Sequence, residues 1–141
     1  FFLVFLSAIF VYFLYNFILL TPYQYTYLNA FSGKAENRYQ KFENDYWSAS
    51  LKELIDEVNF KNDKVITIAT CGASLGLSEK YFKEKDFYNI KFVSSADADY
   101  IIMTNRVVNQ NDIINCFDKF KGSNISQVER NGLILSVIRK I

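Results

Sequence analysis

The first twenty residues, FFLVFLSAIFVYFLYNFILL, contain no charged side chain. A helix of that length rises about 30 Å, which matches the hydrocarbon core of a bilayer. Its polar members are Ser7, Tyr12, Tyr15 and Asn16, and none costs there what a charge would cost. Residues 1–20 are therefore expected to form a transmembrane helix. A cleaved signal peptide would need a basic start, a shorter apolar core and a small-residue cleavage site, and none of these stands out. A buried core helix is the other alternative. All 16 basic and all 15 acidic residues fall after residue 20, where the composition is that of an ordinary water-soluble domain. The chain reads as a membrane segment joined to such a domain.

The span runs directly into TPYQYTYLNAFSG, residues 21–33, with no charge before Lys34. Pro22 is expected to end the helix. Tyrosine favours the membrane boundary, where its ring is apolar-facing and its hydroxyl is wet, so Tyr23, Tyr25 and Tyr27 read as an interfacial belt. The nearest basic residues, Lys34, Arg38 and Lys41, lie well downstream, so no strong positive cluster holds the following domain in the cytoplasm. The sequence opens at Phe1, already within the span, which is the expectation for the C-terminal part of a longer protein.

Near-equal numbers of basic and acidic residues argue against a nucleic-acid groove. The chain has no histidine, which removes the commonest general base and the commonest zinc ligand. Two cysteines, Cys71 and Cys116, cannot build a metal framework. Cys71 follows a buried strand and Cys116 sits on the apolar stripe of its helix, so a free buried thiol is the default; a domain facing the periplasm would allow a disulfide. No cofactor is expected.

The remainder reads as a small α/β sandwich with a C-terminal hairpin. In DYWSASLKELIDEV, Ser50 and Glu53 have capping-box spacing, and Leu51, Leu54, Ile55 and Val58 form one helical stripe. A buried strand is expected over 64–70, a helix over about 75–85, and strands at IKFV and over 99–105. NDIINCFDKF reads as a helix with Ile113, Cys116, Phe117 and Phe120 on its apolar side. Asn131-Gly132 between two β-rich runs marks a tight hairpin. The expected organisation is a transmembrane helix at 1–20, an interfacial aromatic segment at 21–45 and an α/β domain at 46–141.

Three motifs invite chemistry. GASLG, residues 72–76, has the G-x-S-x-G form of a nucleophile elbow, but Ser74 lacks a histidine to take its proton, so a hydrolase is rejected. The glycines suit a strand-to-helix turn, and a phosphate cradle at that helix start is physically possible. Asp97 and Asp99 form a D-x-D pair, a pattern seen in metal and nucleotide-sugar sites but equally at solvated strand starts. In ENDYW, residues 43–47, either Asp45 supports the helix N-terminus electrostatically while the rings of Tyr46 and Trp47 pack the domain onto the membrane-proximal segment, or the three bind a sugar by ring stacking and carboxylate hydrogen bonds.

TPYQYTYLNAFSG followed by FENDYWSASLKEL resembles the C-terminal region of polytopic bacterial glycosyltransferases with the multi-spanning fold called GT-C, the relatives of protein O-mannosyltransferases and aminoarabinose transferases. The resemblance rests on Pro22, Tyr23, Gln24, Tyr25, Tyr27, Asn29, Asp45, Tyr46, Trp47 and Ser50, and ADYIIMTNR, residues 98–106, looks like a strand of the same region. Thr21 stands where the pattern often has histidine. The resemblance covers the chain from about residue 15. It implies an integral protein of the bacterial inner membrane, with the last transmembrane helix leading into an extracytoplasmic α/β domain. The whole enzyme would take sugar from a polyprenyl-phosphate carrier, a lipid-linked donor. The family's catalytic acid lies on an early extracytoplasmic loop outside this sequence, so no catalytic residue is carried over and no metal ligand is expected. The candidate substrate-binding residues are Tyr23, Gln24, Tyr25, Asp45, Tyr46 and Trp47. The alternative is a non-enzymatic domain tethered by one membrane helix.

Overall fold

The computed structural model of the chain describes residues 2–24, 45, 47–60, 65–87, 89–109 and 114–141. The apolar run forms helix α1 (Phe2–Leu19), long and apolar enough to cross a membrane. Two of its polar side chains, Ser7 and Asn16, fold back onto its own carbonyls. Ser7 donates to Leu3 O at 2.9 Å and Asn16 to Tyr12 O at 2.8 Å. Those bonds lower the cost of placing each group in lipid. The chain turns at a cis Thr21–Pro22 peptide, as expected of Pro22, and Tyr23 N–H closes the turn on Leu20 O.

The elements that follow are α2 (Leu51–Glu57), β1 (Ile66–Cys71), α3 (Leu75–Glu84), β2 (Ile90–Phe92), β3 (Tyr100–Thr104), β4 (Val107–Asn109), β5 (Ile114–Asn115), α4 (Cys116–Lys119), β6 (Ser123–Arg130) and β7 (Leu133–Lys140). The described strands form a five-stranded sheet of order β2-β1-β3-β7-β6 and a two-stranded pair, β4-β5. β1 lies parallel to both β2 and β3, and the β6–β7 hairpin adds antiparallel to β3. Asn131 at φ 50° and Gly132 at φ 73° supply the left-handed pair that a two-residue hairpin turn requires. This is the α/β fold with a C-terminal hairpin that the sequence predicts.

Strand alternation sorts the core into two layers. Ile66, Ile68, Ile102, Leu135 and Ile138 face α2 and α3, meeting Leu51, Leu54, Ile55 and Val58 of the predicted stripe and Phe82 of α3. Each such side chain contributes about 1.5–3 kcal/mol on burial. Ala69, Cys71, Ile101, Met103 and Val137 face the other way, under Cys116 and Phe117 of α4. A bulge in β7 breaks the alternation: Val128 pairs with Ser136 and Glu129 with Ile134, leaving Leu135 as the extra residue. The bulge lets Ser136 face α2 beside Leu135, and the Ser136 hydroxyl meets that of Ser50 at 2.6 Å.

Three local expectations need correction. NDIINCFDKF is not one helix; Ile114–Asn115 pair with β4, and only Cys116–Lys119 are helical. Asn115 ends the strand and starts the helix, its side chain accepting from Phe117 N–H at 3.0 Å. The residues 111–113 of that segment lie outside the described set. Cys71 and Cys116 are not free thiols but a disulfide, with Cα atoms 5.7 Å apart. The turn after Cys71 needs glycine, because at Gly72 (φ 72°) a Cβ would stand 2.8 Å from Arg106 Cβ and 3.2 Å from Cys116 Sγ. Third, Ser50 sits at the N-cap of α2 but makes no capping bond with its side chain, and Glu53 does not reach back to it. Asp45 takes over the cap.

Candidate functional site

Asp45 is fully buried. Its carboxylate accepts from Ala49 N–H at 2.8 Å, from Ser50 N–H at 3.3 Å and from the Ser50 hydroxyl at 2.5 Å. It therefore satisfies donors at the start of α2, where the helix field also favours a negative charge. A hydroxyl against a carboxylate is the pairing of an activated nucleophile, but Ser50 and Ser136 are as completely buried as Asp45, so no substrate reaches them.

Glu53, in the first turn of α2, is the centre of a second cluster. Arg130 Nη2 lies 2.6 Å from Glu53 Oε1 and 2.8 Å from Oε2, and the Tyr23 hydroxyl donates to Oε2 at 2.8 Å. Arg130 Nε donates to Thr21 O at 3.3 Å, and its guanidinium stands 5.3 Å from the centre of the Tyr23 ring. The side chains of Arg130 and Glu53 are only 24% and 25% exposed, so water screens this pair less than it screens a surface ion pair. Three segments far apart in sequence meet here: the exit from α1, the first helix of the domain and the last residue of β6.

The sequence places Tyr23 among lipid headgroups; its ring instead packs in the α2–α3 core layer and is 5% exposed. Burial, and then the hydrogen bond to the Glu53 carboxylate, push its phenol well above the usual tyrosine range. The unfolded chain would release this proton near pH 10. The stabilisation from protonated Tyr23 is thus complete below about pH 10 and is lost as pH rises further. Tyr23→Phe should cost about 1 kcal/mol at pH 8 and flatten the alkaline decline. Urea midpoints at pH 8, 10 and 11 for both proteins check this, and identical pH slopes would rule it out.

The remaining candidates fall in different places. Gln24 donates to Thr21 Oγ1 at 2.9 Å, so it braces the turn after α1. Trp47 is 78% exposed. Tyr25 and Tyr46 lie outside the described residues, as do Tyr27 and Asn29. The structure brings Tyr23 together with α2 but aims neither it nor Asp45 at solvent. Ser74 caps α3, accepting from Leu77 N–H at 3.4 Å, while its own N–H donates to Ser48 Oγ at 3.2 Å. Of the D-x-D pair, Asp97 accepts from Ser94 Oγ at 2.7 Å and Asp99 from Thr67 Oγ1 at 2.6 Å. These aspartates point to separate partners.

Glu53 and Arg130 are the residues that sequence reasoning misses. Glu53 is absorbed by the capping-box pattern, and Arg130 carries only its place next to the Asn131-Gly132 turn. Nothing local links residues separated by 77 positions. Compared with models of protein families, with curated proteins and with solved structures, the chain matches none.

Proposed function

We propose that this chain is the C-terminal part of an integral-membrane glycosyltransferase that uses a polyprenyl-phosphate-linked sugar. In this reading α1 is its last transmembrane helix and the α/β domain lies on the extracytoplasmic side of a bacterial inner membrane. The observation that carries the reading is the contact between the two segments bearing the family resemblance: Tyr23 of TPYQYTYLNAFSG is hydrogen-bonded at 2.8 Å to Glu53 of FENDYWSASLKEL. A shared motif pair that meets in space has a physical reason to occur together. The Cys71–Cys116 bond supports the extracytoplasmic side, since disulfides persist in oxidising compartments. The catalytic carboxylate belongs to the rest of the enzyme. It would activate the acceptor while polyprenyl phosphate leaves as the anion. The role of this part is to hold the domain at the exit of the last helix.

The second reading, a tethered non-enzymatic domain, is favoured by one observation. Asp45, Ser50, Ser74, Asp97 and Asp99 are all engaged in hydrogen bonds that shape the fold. Reading the gene upstream of the Phe1 codon separates the two. Several further apolar spans, with an acidic residue in the first extracytoplasmic loop, support the transferase. A start codon a few residues upstream would overturn it in favour of the tethered domain.

A further inference from the structure

The domain meets α1 at one end of its sheet, and the topology says which end. Arg130, the last residue of β6, donates to the carbonyl of Thr21, just past the end of α1 at Leu19. β7 runs antiparallel to β3 with Ser136 opposite Thr104, so Leu133 and the hairpin turn project beyond the C-terminal end of β3. The overhang from Ser136 to Leu133 is about 10 Å at the usual rise per strand residue. β1 is parallel to β3, with Cys71 opposite Met103, which puts the β1–α3 turn at that same end. The hydrogen bond from Ser74 N–H to Ser48 Oγ brings the neighbouring Trp47 there too.

This end exposes Trp47 (78%) and Leu75 (47%), the first residue of α3. Exposed Val65 and Ile141 lie at the opposite end, before β1 and after β7. Alongside Pro22 and Tyr23 the surface of α2 presents Lys52 with Asp56 and Glu57, so net positive charge does not draw this end to lipid. An indole does: its amphipathic ring favours the boundary between headgroups and acyl chains.

We propose that the end of the domain formed by the β6–β7 turn, the β1–α3 turn and Trp47 rests on the headgroup layer of the membrane that α1 spans, with Trp47 lodged at the interface. The bilayer is the occupant because this end is joined to the exit of α1 through Thr21, Tyr23, Glu53 and Arg130. The proposal rests on α1 spanning a bilayer and is independent of any transferase activity.

Trp47 is the sole tryptophan of the chain, so its fluorescence reports this contact directly. The full chain is reconstituted in phosphatidylcholine vesicles containing lipids brominated either high on the acyl chain or near its end. High bromines should quench Trp47 at least twofold more than deep ones, iodide in the water should quench it several-fold less than in urea, and added salt should change neither. In a Trp47→Phe, Val65→Trp variant the pattern should reverse, with iodide effective and brominated lipid not. Ready iodide quenching of Trp47 without lipid quenching would overturn the contact. Shielding from both quenchers would overturn it as well, and assign the surface to another protein or a second copy. Alkaline carbonate washing distinguishes the two levels: a chain that stays in the vesicles but shows no lipid quenching sinks this contact alone, whereas a chain washed free sinks the spanning reading with it.

Discussion

Replacing Cys71 and Cys116 together with serine is expected to destabilise the domain by about 4 kcal/mol. The bond joins residues separated by 45 positions, and the chain-entropy cost of closing a loop of that length gives this figure. The closed loop contains α3, β2, β3 and the β4–β5 pair, so the bond limits how far the unfolded chain can spread over two strands of the five-stranded sheet and the helix between β1 and β2. It also fastens α4 to the end of β1, with Cys116 fully buried in the second core layer. A loss of that size corresponds to a fall of roughly 15–30 °C in Tm for a domain of this length. Thermal unfolding of the full chain in lipid nanodiscs, with and without reductant, measures it. Reduction of the unaltered chain should reproduce the effect of the double substitution, less the smaller cost of placing serine hydroxyls in an apolar layer. A shift under about 1 kcal/mol in both would mean that the sulfurs are not bonded in the native protein.

Asp45→Ala should remove about 2–4 kcal/mol, from loss of the helix cap and from stranding buried donors. The residue lost serves Ala49 N–H, Ser50 N–H and the Ser50 hydroxyl at once, and the Ser50–Ser136 contact depends on that arrangement. Asp45→Asn keeps the shape but turns an amide NH2 toward groups that need an acceptor, so it should recover less than half of the loss. The pair of substitutions separates the two roles that ENDYW offers. Urea denaturation that leaves both variants as stable as the parent would remove the capping role and return Asp45 to the sugar-binding reading. Losses as large as expected would mean that Asp45 acts through the placement of α2.

Patterns that complete themselves within a few residues are legible in the sequence. The Asn131-Gly132 turn needs only two left-handed residues between β-rich runs, and it forms as read. The Leu51, Leu54, Ile55 and Val58 stripe is buried because helical spacing alone puts those side chains on one side. NDIINCFDKF misleads because its helical period has a competitor: Ile114 and Asn115 pair with β4, and Asn115 then caps the short helix that remains. Ser50 and Glu53 have the right spacing for a reciprocal cap, yet a carboxylate five residues before Ser50 and a guanidinium 77 residues beyond Glu53 outcompete it.

The apolar span, the strand and helix periods and the hairpin turn are thus decided along the chain, because each depends on neighbours within a turn or a strand pair. The cysteine bond, the burial of Tyr23 and the grip of Arg130 on the exit of α1 are decided only by folding. Each joins groups tens of residues apart, and their distance is set by the parallel course of β1 and β3 and by the antiparallel return of β7, not by anything local to either partner.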